Sequence, residues 1–414
     1  MRPLPRVVAL LTGLTLSLAG AESPADRMLA QYFRDETDRV HDATFAGITS
    51  LADFIGSRYG KSTALAAAVT VIAVVGVVPY ISLQLKAVSQ SVTTLVAHLD
   101  FGLGPTPFHP DVPLTVALSM AAFACLFGTR HVDSTEHQSG LMLAIAAESV
   151  VKLVSLTVVG LYVCFWLFDG PTDMVAQVAD HPIAATMFGH GPSGGNWIVM
   201  TLLSMFAILL LPRMFHVGVV ENHTANELTA ARWLFPGYLV AINAFVVPIA
   251  LAGLIRYGTG IDADTYVLRL PLDAGAAWVT LVAFIGGLSA ATGMVIMSSL
   301  ALAVMVCNEL VAPILVRRAG RDDESEPSMV RLLLVVRRIA IFAILLLAYA
   351  YHRAVADASA LSDIGFLAFA AIAQFTPAFV GALFWRRGTR RGALAGILVG
   401  FAVWVYTLAV PTFI

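Results

Sequence analysis

Apolar runs of about 20 residues recur along almost the whole of this chain, and no other feature constrains its fold as tightly. Written as a helix, such a run crosses the hydrocarbon core of a bilayer and satisfies its own backbone hydrogen bonds there. The pattern predicts nine spans, near 63–88, 111–129, 139–167, 196–216, 233–255, 274–305, 330–350, 361–384 and 392–412. None has the short alternating segments of a membrane β-barrel. Composition points the same way: of 414 residues, 58% are hydrophobic and 13% charged, where a soluble domain carries roughly a quarter charged. The expected fold class is an all-α membrane protein, with the lipid bilayer as its first partner. A net charge of −2 offers no electrostatic footprint for nucleic acid. Cys125, Cys164 and Cys307 sit inside apolar runs without CxxC spacing and read as packing residues.

Lys and Arg crowd alternate loops, which orients the spans. Arg58 and Lys61 precede the first and Arg130 follows the second. Arg213 and Arg232 flank the fourth loop, while Arg317, Arg318, Arg321 and Arg331 crowd the sixth. Arg386, Arg387, Arg390 and Arg391 fill the eighth. By the positive-inside rule these loops are cytoplasmic. The front of the chain fits less well. "MRPLPRVVALLTGLTLSLAGA" reads as a signal-like leader or short anchor, and residues 21–46 as a polar linker. A spanning leader with Arg2 and Arg6 inside would deliver Arg58 and Lys61 to the outside, against the rule.

Polar residues inside the spans are expensive there, and so they mark candidate sites. No P-loop, HExxH or Ser/His/Asp spacing is present, and the expectation is not an enzyme. Tyr80 and Gln84 follow Pro79 and share a helix face, either lining a solute path or bonding a neighbouring helix. Glu148 and Lys152 lie four apart, a spacing that reads first as an ion-pair lock and second as a proton- or ion-coupling role for Glu148. Ser289 and Thr292 put two hydroxyls on one face of "FIGGLSAATGM", among glycines that permit close helix packing. Such oxygens suit a hard cation such as Na⁺, although small-residue packing alone explains the string as well. The turn "FGTRHVDSTEHQSG" collects Arg130, His131, Asp133, Glu136 and His137. Imidazoles and carboxylates can ligate a metal, but at a water-facing turn they read better as a solvated helix start. No metal site is expected.

The strings "ITSLADFIGSRYGKS", "FGTRHVDSTEHQSGLMLAIAAESVVKL", "LPRMFHVGVVEN", "GGLSAATGM" and "FWRRGTRRGALAGILVG" together resemble the sodium:solute symporter family, most closely its branch linked to sensor histidine kinases. The resemblance covers about residues 47–414 and implies a LeuT-type inverted-repeat bundle with solute and cation near the midplane. It implies cation-coupled transport of a small organic solute, such as an amino acid, across a bacterial-type cytoplasmic membrane. No cofactor is implied beyond Na⁺ or H⁺ as the coupling ion. Carried over residue by residue, it puts Tyr80, Gln84 and Pro212 on the solute path, and Ser289, Thr292 and Asp133 at cation coupling. Gly293 stands where the family pattern has a second adjacent hydroxyl. Glu148 and Lys152 have no placed counterpart, which leaves proton coupling open. The family has about three helices before "ADFIGSRYGKS", so the chain is expected to be a partial domain lacking the first helices. The alternative reading is a sensory input domain whose fused or downstream kinase and response regulator signal in a phosphorelay.

Overall fold

A computed structural model describes residues 48–99, 111–128, 139–180, 194–222, 225–258, 260–319, 326–355, 361–385 and 387–413. The leader and linker of residues 1–46, and the turn holding Arg130, His131, Asp133, Glu136 and His137, lie outside the described residues.

The order is α1 Leu51–Arg58, α2 Thr63–Leu99, α3 Val112–Gly128, α4 Ser139–Tyr162, α5 Pro171–Asp180, α6 Gly194–Leu210, α7 Pro212–Phe215 and α8 Ala225–Asn243. There follow α9 Val246–Tyr257, α10 Tyr266–Asp273, α11 Ala277–Met305, α12 Ala312–Ala319, α13 Glu326–Val355, α14 Leu361–Ala373, α15 Thr376–Phe384 and α16 Arg390–Trp404. Wider π-turns continue several of these, over Val163–Leu167, His216–Val220, Val306–Val311 and Val405–Ala409. No strand occurs among the described residues. The chain is an all-α, multi-pass membrane protein.

Six continuous helices are long and apolar enough to cross a membrane, and two bent pairs qualify as broken spans. The 17-residue α3 is apolar too, and at 1.5 Å per residue reaches about 26 Å. Each of the nine expected segments falls on one of these. The bends are at α6–α7, 51°, and at α14–α15, 41°. Pro212 begins α7 and Pro377 lies in the first turn of α15; a proline there lacks the N–H that a continuous helix would need. Pro79, by contrast, leaves α2 unbroken.

α2 and α11 form the centre. Two thirds (67%) of the most apolar stretch of each is buried, against 11% for α16, whose apolar side chains are left to lipid. α2 packs against α11, α13 and α14, and α11 against α3 and α4. α1 is a short capped helix tucked beneath this centre. The Ser50 hydroxyl accepts from the Asp53 N–H at 3.1 Å, and the Asp53 carboxylate accepts from the Thr49 N–H at 3.0 Å. Fully buried Phe54 packs on Phe215 of α7 and Phe379 of α15, so α1 touches both broken spans. The left-handed turn at Gly60 (φ 78°) and Lys61 (φ 52°) then reverses the chain into α2, which Ser62 caps.

Candidate functional site

The site assembles on α11, around Gly293 and Met294. α4 and α11 run antiparallel in a register read from two contacts seven residues apart. Ser155 lies over Gly286 and donates its hydroxyl to the Val282 carbonyl at 2.7 Å. Seven residues earlier on α4, Glu148 lies over Gly293. A Cβ at residue 293 would collide with Glu148 Oε2, so the glycine is the seat of the carboxylate. A spacing of seven keeps the same stripe of each helix in contact. Tyr238 of α8 locks α4 from the other side, donating to the Ser149 carbonyl at 3.2 Å.

Within this seat Glu148 Oε1 meets Lys152 Nζ at 2.9 Å, with both side chains at most one-fifth exposed. The spacing that suggested a pair in the sequence forms one. The same carboxylate opens onto a cavity of about 580 Å³ between α2, α3, α4 and α11. Ser289, Thr292 and Gly293 line it with Glu148 and Ser119, in an otherwise apolar wall that includes Phe123, Leu288 and Met297. The structure thus brings the two hydroxyls and the carboxylate together, which neither segment's own spacing could announce. Thr292 currently donates to the Leu288 carbonyl of its own helix at 2.7 Å.

One residue along α11 the chemistry changes. Met294 Sδ accepts from the Tyr80 hydroxyl at 3.3 Å, and the Tyr80 ring stacks with Phe369 of α14 at 6.2 Å. Over the other part of that ring lies the Arg213 guanidinium, 4.9 Å from the centroid. Arg213 is the second residue of α7, immediately beyond the break at Leu211 and Pro212. The sequence places it beside the fourth loop, and the structure sets it on the ring of Tyr80, 17 residues into α2. Glu148 and Tyr80 both lie within electrostatic reach of Arg213. Arg213 Nε is buried without a hydrogen-bond partner among the described residues.

Tyr80 and Gln84 are both buried, at 6% and 7% exposure, and neither lines the 580 Å³ cavity. Tyr80 is packed against Met294 of α11, Phe369 of α14 and Arg213 of α7 rather than open to that cavity. Pro212 marks the break itself. Farther along the same broken span, His216 Nε2 and Glu221 Oε1 approach to 3.4 Å in buried surroundings. Among the described residues no group of three or more His, Cys, Asp or Glu side chains could hold a metal ion.

Fold and site define a class: a multi-pass helical membrane protein with charged side chains gathered between its helices beside a broken one. Two proteins of Bacillus subtilis (strain 168) are distantly similar to it in sequence. It is 22% identical over 374 residues to the uncharacterized symporter YhjB, a match covering 88% of this chain and 69% of that protein. It is 23% identical over 372 residues to the uncharacterized symporter YodF, covering 86% and 66%. The chain spans about two thirds of the length of these curated relatives. No family model matches it, and no solved structure does.

Proposed function

We propose that this chain is the membrane domain of a secondary transporter that moves a small organic solute together with a cation, by alternating access, across a bacterial cytoplasmic membrane. The observation that carries the reading is the Glu148–Lys152 pair seated on Gly293, sharing one cavity with Ser289 and Thr292. An ionisable pair inside a membrane has a large desolvation cost and is retained where it carries ions or protons. Two broken spans that pack on each other, one against α11 and the other against α2, support the reading, since helix breaks supply polar backbone to a solute. The printed names of the two relatives support it as well. A LeuT-type inverted repeat over about residues 47–414 is the architecture that goes with it.

The coupling ion in this reading is a proton taken up by Glu148, or Na⁺ held by that carboxylate and the Ser289 and Thr292 hydroxyls. Lys152 tunes the carboxylate in either case. Asp133 joins the cation path by resemblance, and Tyr80, Gln84 and Pro212 belong to the solute path. The test is uptake of radiolabelled solute pools by purified protein in liposomes under a Na⁺ gradient, a pH gradient, or neither. Accumulation under one gradient that is lost in Glu148→Gln is expected. A lack of accumulation under both would end the transport reading.

A further inference from the structure

The charges around Gly293 and Met294 do not sum to zero. Glu148 supplies one negative charge, while Lys152 at 2.9 Å and Arg213 within its electrostatic reach supply two positive ones. The Lys152 ammonium already occupies the carboxylate in the geometry of a close pair. Arg213 has instead the face of Tyr80, a weaker partner than a carboxylate, and its Nε has no acceptor among the described residues. A partly buried guanidinium whose Nε lacks an acceptor among the described residues calls for an anion, because an uncompensated charge away from water is strongly disfavoured. It is also placed to receive one: it stands directly after the 51° break of a membrane span, the part of the fold that can change shape.

We infer that Arg213 is the anchor for a carboxylate group on the transported solute, held in place by Tyr80. This rests on the transport reading above and narrows its solute to a carboxylate-bearing molecule, an amino acid or a simple organic acid. The planar fork of the guanidinium matches a carboxylate through two parallel hydrogen bonds, which a lysine cannot reproduce. Stacking on Tyr80 fixes the plane of that fork, so Tyr80 is the positioning residue. The Tyr80 hydroxyl is engaged with Met294 and is not required for the contact.

The experiment measures thermal stabilisation of the purified full chain in detergent by three pools. These are the L-amino acids, the short monocarboxylates acetate, propionate and pyruvate, and a neutral pool of sugars and polyols. Stabilisation by the first or second pool and not the third is expected, and which of the two acts identifies the solute type. The carboxamide of the stabilising acid should bind at least about tenfold more weakly, and Arg213→Gln should lose at least about tenfold in affinity for the acid. Should Arg213→Gln not accumulate, Arg213→Lys carries the same test with a smaller loss, and Tyr80→Phe should bind nearly as the parent. Stabilisation by the neutral pool, equal binding of acid and amide, unchanged binding in the arginine variants, or no stabilisation by any pool overturns the assignment. Gradient-driven uptake of a neutral solute would end the carboxylate assignment and leave transport standing. Carboxylate binding without gradient-driven uptake would do the reverse.

Discussion

The two sides of α11 differ in how they treat charge. On the Gly293 side a carboxylate and an ammonium meet at 2.9 Å in a glycine seat, and the pair is close to neutral. On the Met294 side a guanidinium lies on an aromatic ring, and its Nε has no hydrogen-bond partner among the described residues. One side is closed and the other is open, although adjacent residues of one helix separate them. A closed pair can exchange a proton or a small cation, whereas an open cation can only be completed by something larger that brings a negative charge.

The largest effect is expected from breaking the closed side. Glu148→Ala leaves Lys152 without its carboxylate inside the membrane, and removing one partner of a buried pair costs about 3–5 kcal/mol. Replacing both, as Glu148→Leu with Lys152→Met, should restore most of the thermal stability while leaving uptake uncoupled from any gradient. Thermal unfolding of the single and double variants reads this. A double variant no more stable than Glu148→Ala alone would show that the pair is not the closed unit described.

Next comes the seat itself. Gly293→Ala gains roughly 1 kcal/mol of helix propensity but drives a methyl onto Glu148 Oε2. The carboxylate must leave, so the net effect is a loss of about 1–3 kcal/mol together with loss of gradient-driven uptake. Gly286→Ala meets Ser155 Oγ and should lose stability similarly while keeping its coupling, because the group it displaces is a hydroxyl and not a carboxylate. Equal loss of coupling in both variants would reduce the Gly293 contact to ordinary helix packing.

The fold was largely legible because membrane helices declare themselves by length and apolarity, and the nine segments come from that rule alone. Of the breaks, Pro212 stands out in the sequence, while the bend near Thr376 does not, since Pro79 looks similar and bends nothing. Glu148 and Lys152 could be paired from their spacing. That Ser289 and Thr292 share their cavity depends on the register of α4 against α11, which only tertiary packing sets. Gly293 read as the absence of a hydroxyl, yet its side-chain space is filled by a carboxylate from another helix. The contact between Arg213 and Tyr80 was not legible for a related reason, since it too depends on how distant helices pack.

The smallest expected effect uses a second carboxylate, one at the water interface, as the foil for Glu148. Asp111 precedes α3, where its carboxylate accepts from the Tyr349 hydroxyl of α13 and from the Leu114 N–H at 3.1 Å. The Tyr349 hydrogen bond first, and the Leu114 N–H second, hold its carboxyl below the usual carboxylate range. A depressed folded pKa means that its contribution is present above the unfolded value, about 4, and fades as pH falls through the folded one. The melting temperature should therefore decline slightly more in the parent than in Asp111→Asn between about pH 5 and pH 3, with solvent screening keeping the difference small. Gradient-driven uptake near neutral pH should be the same in both proteins, because Asp111 stays ionised there and lies apart from the cavity. If Asp111→Asn instead changed coupling as Glu148→Gln does, the functional charge would not be confined to the two sides of α11.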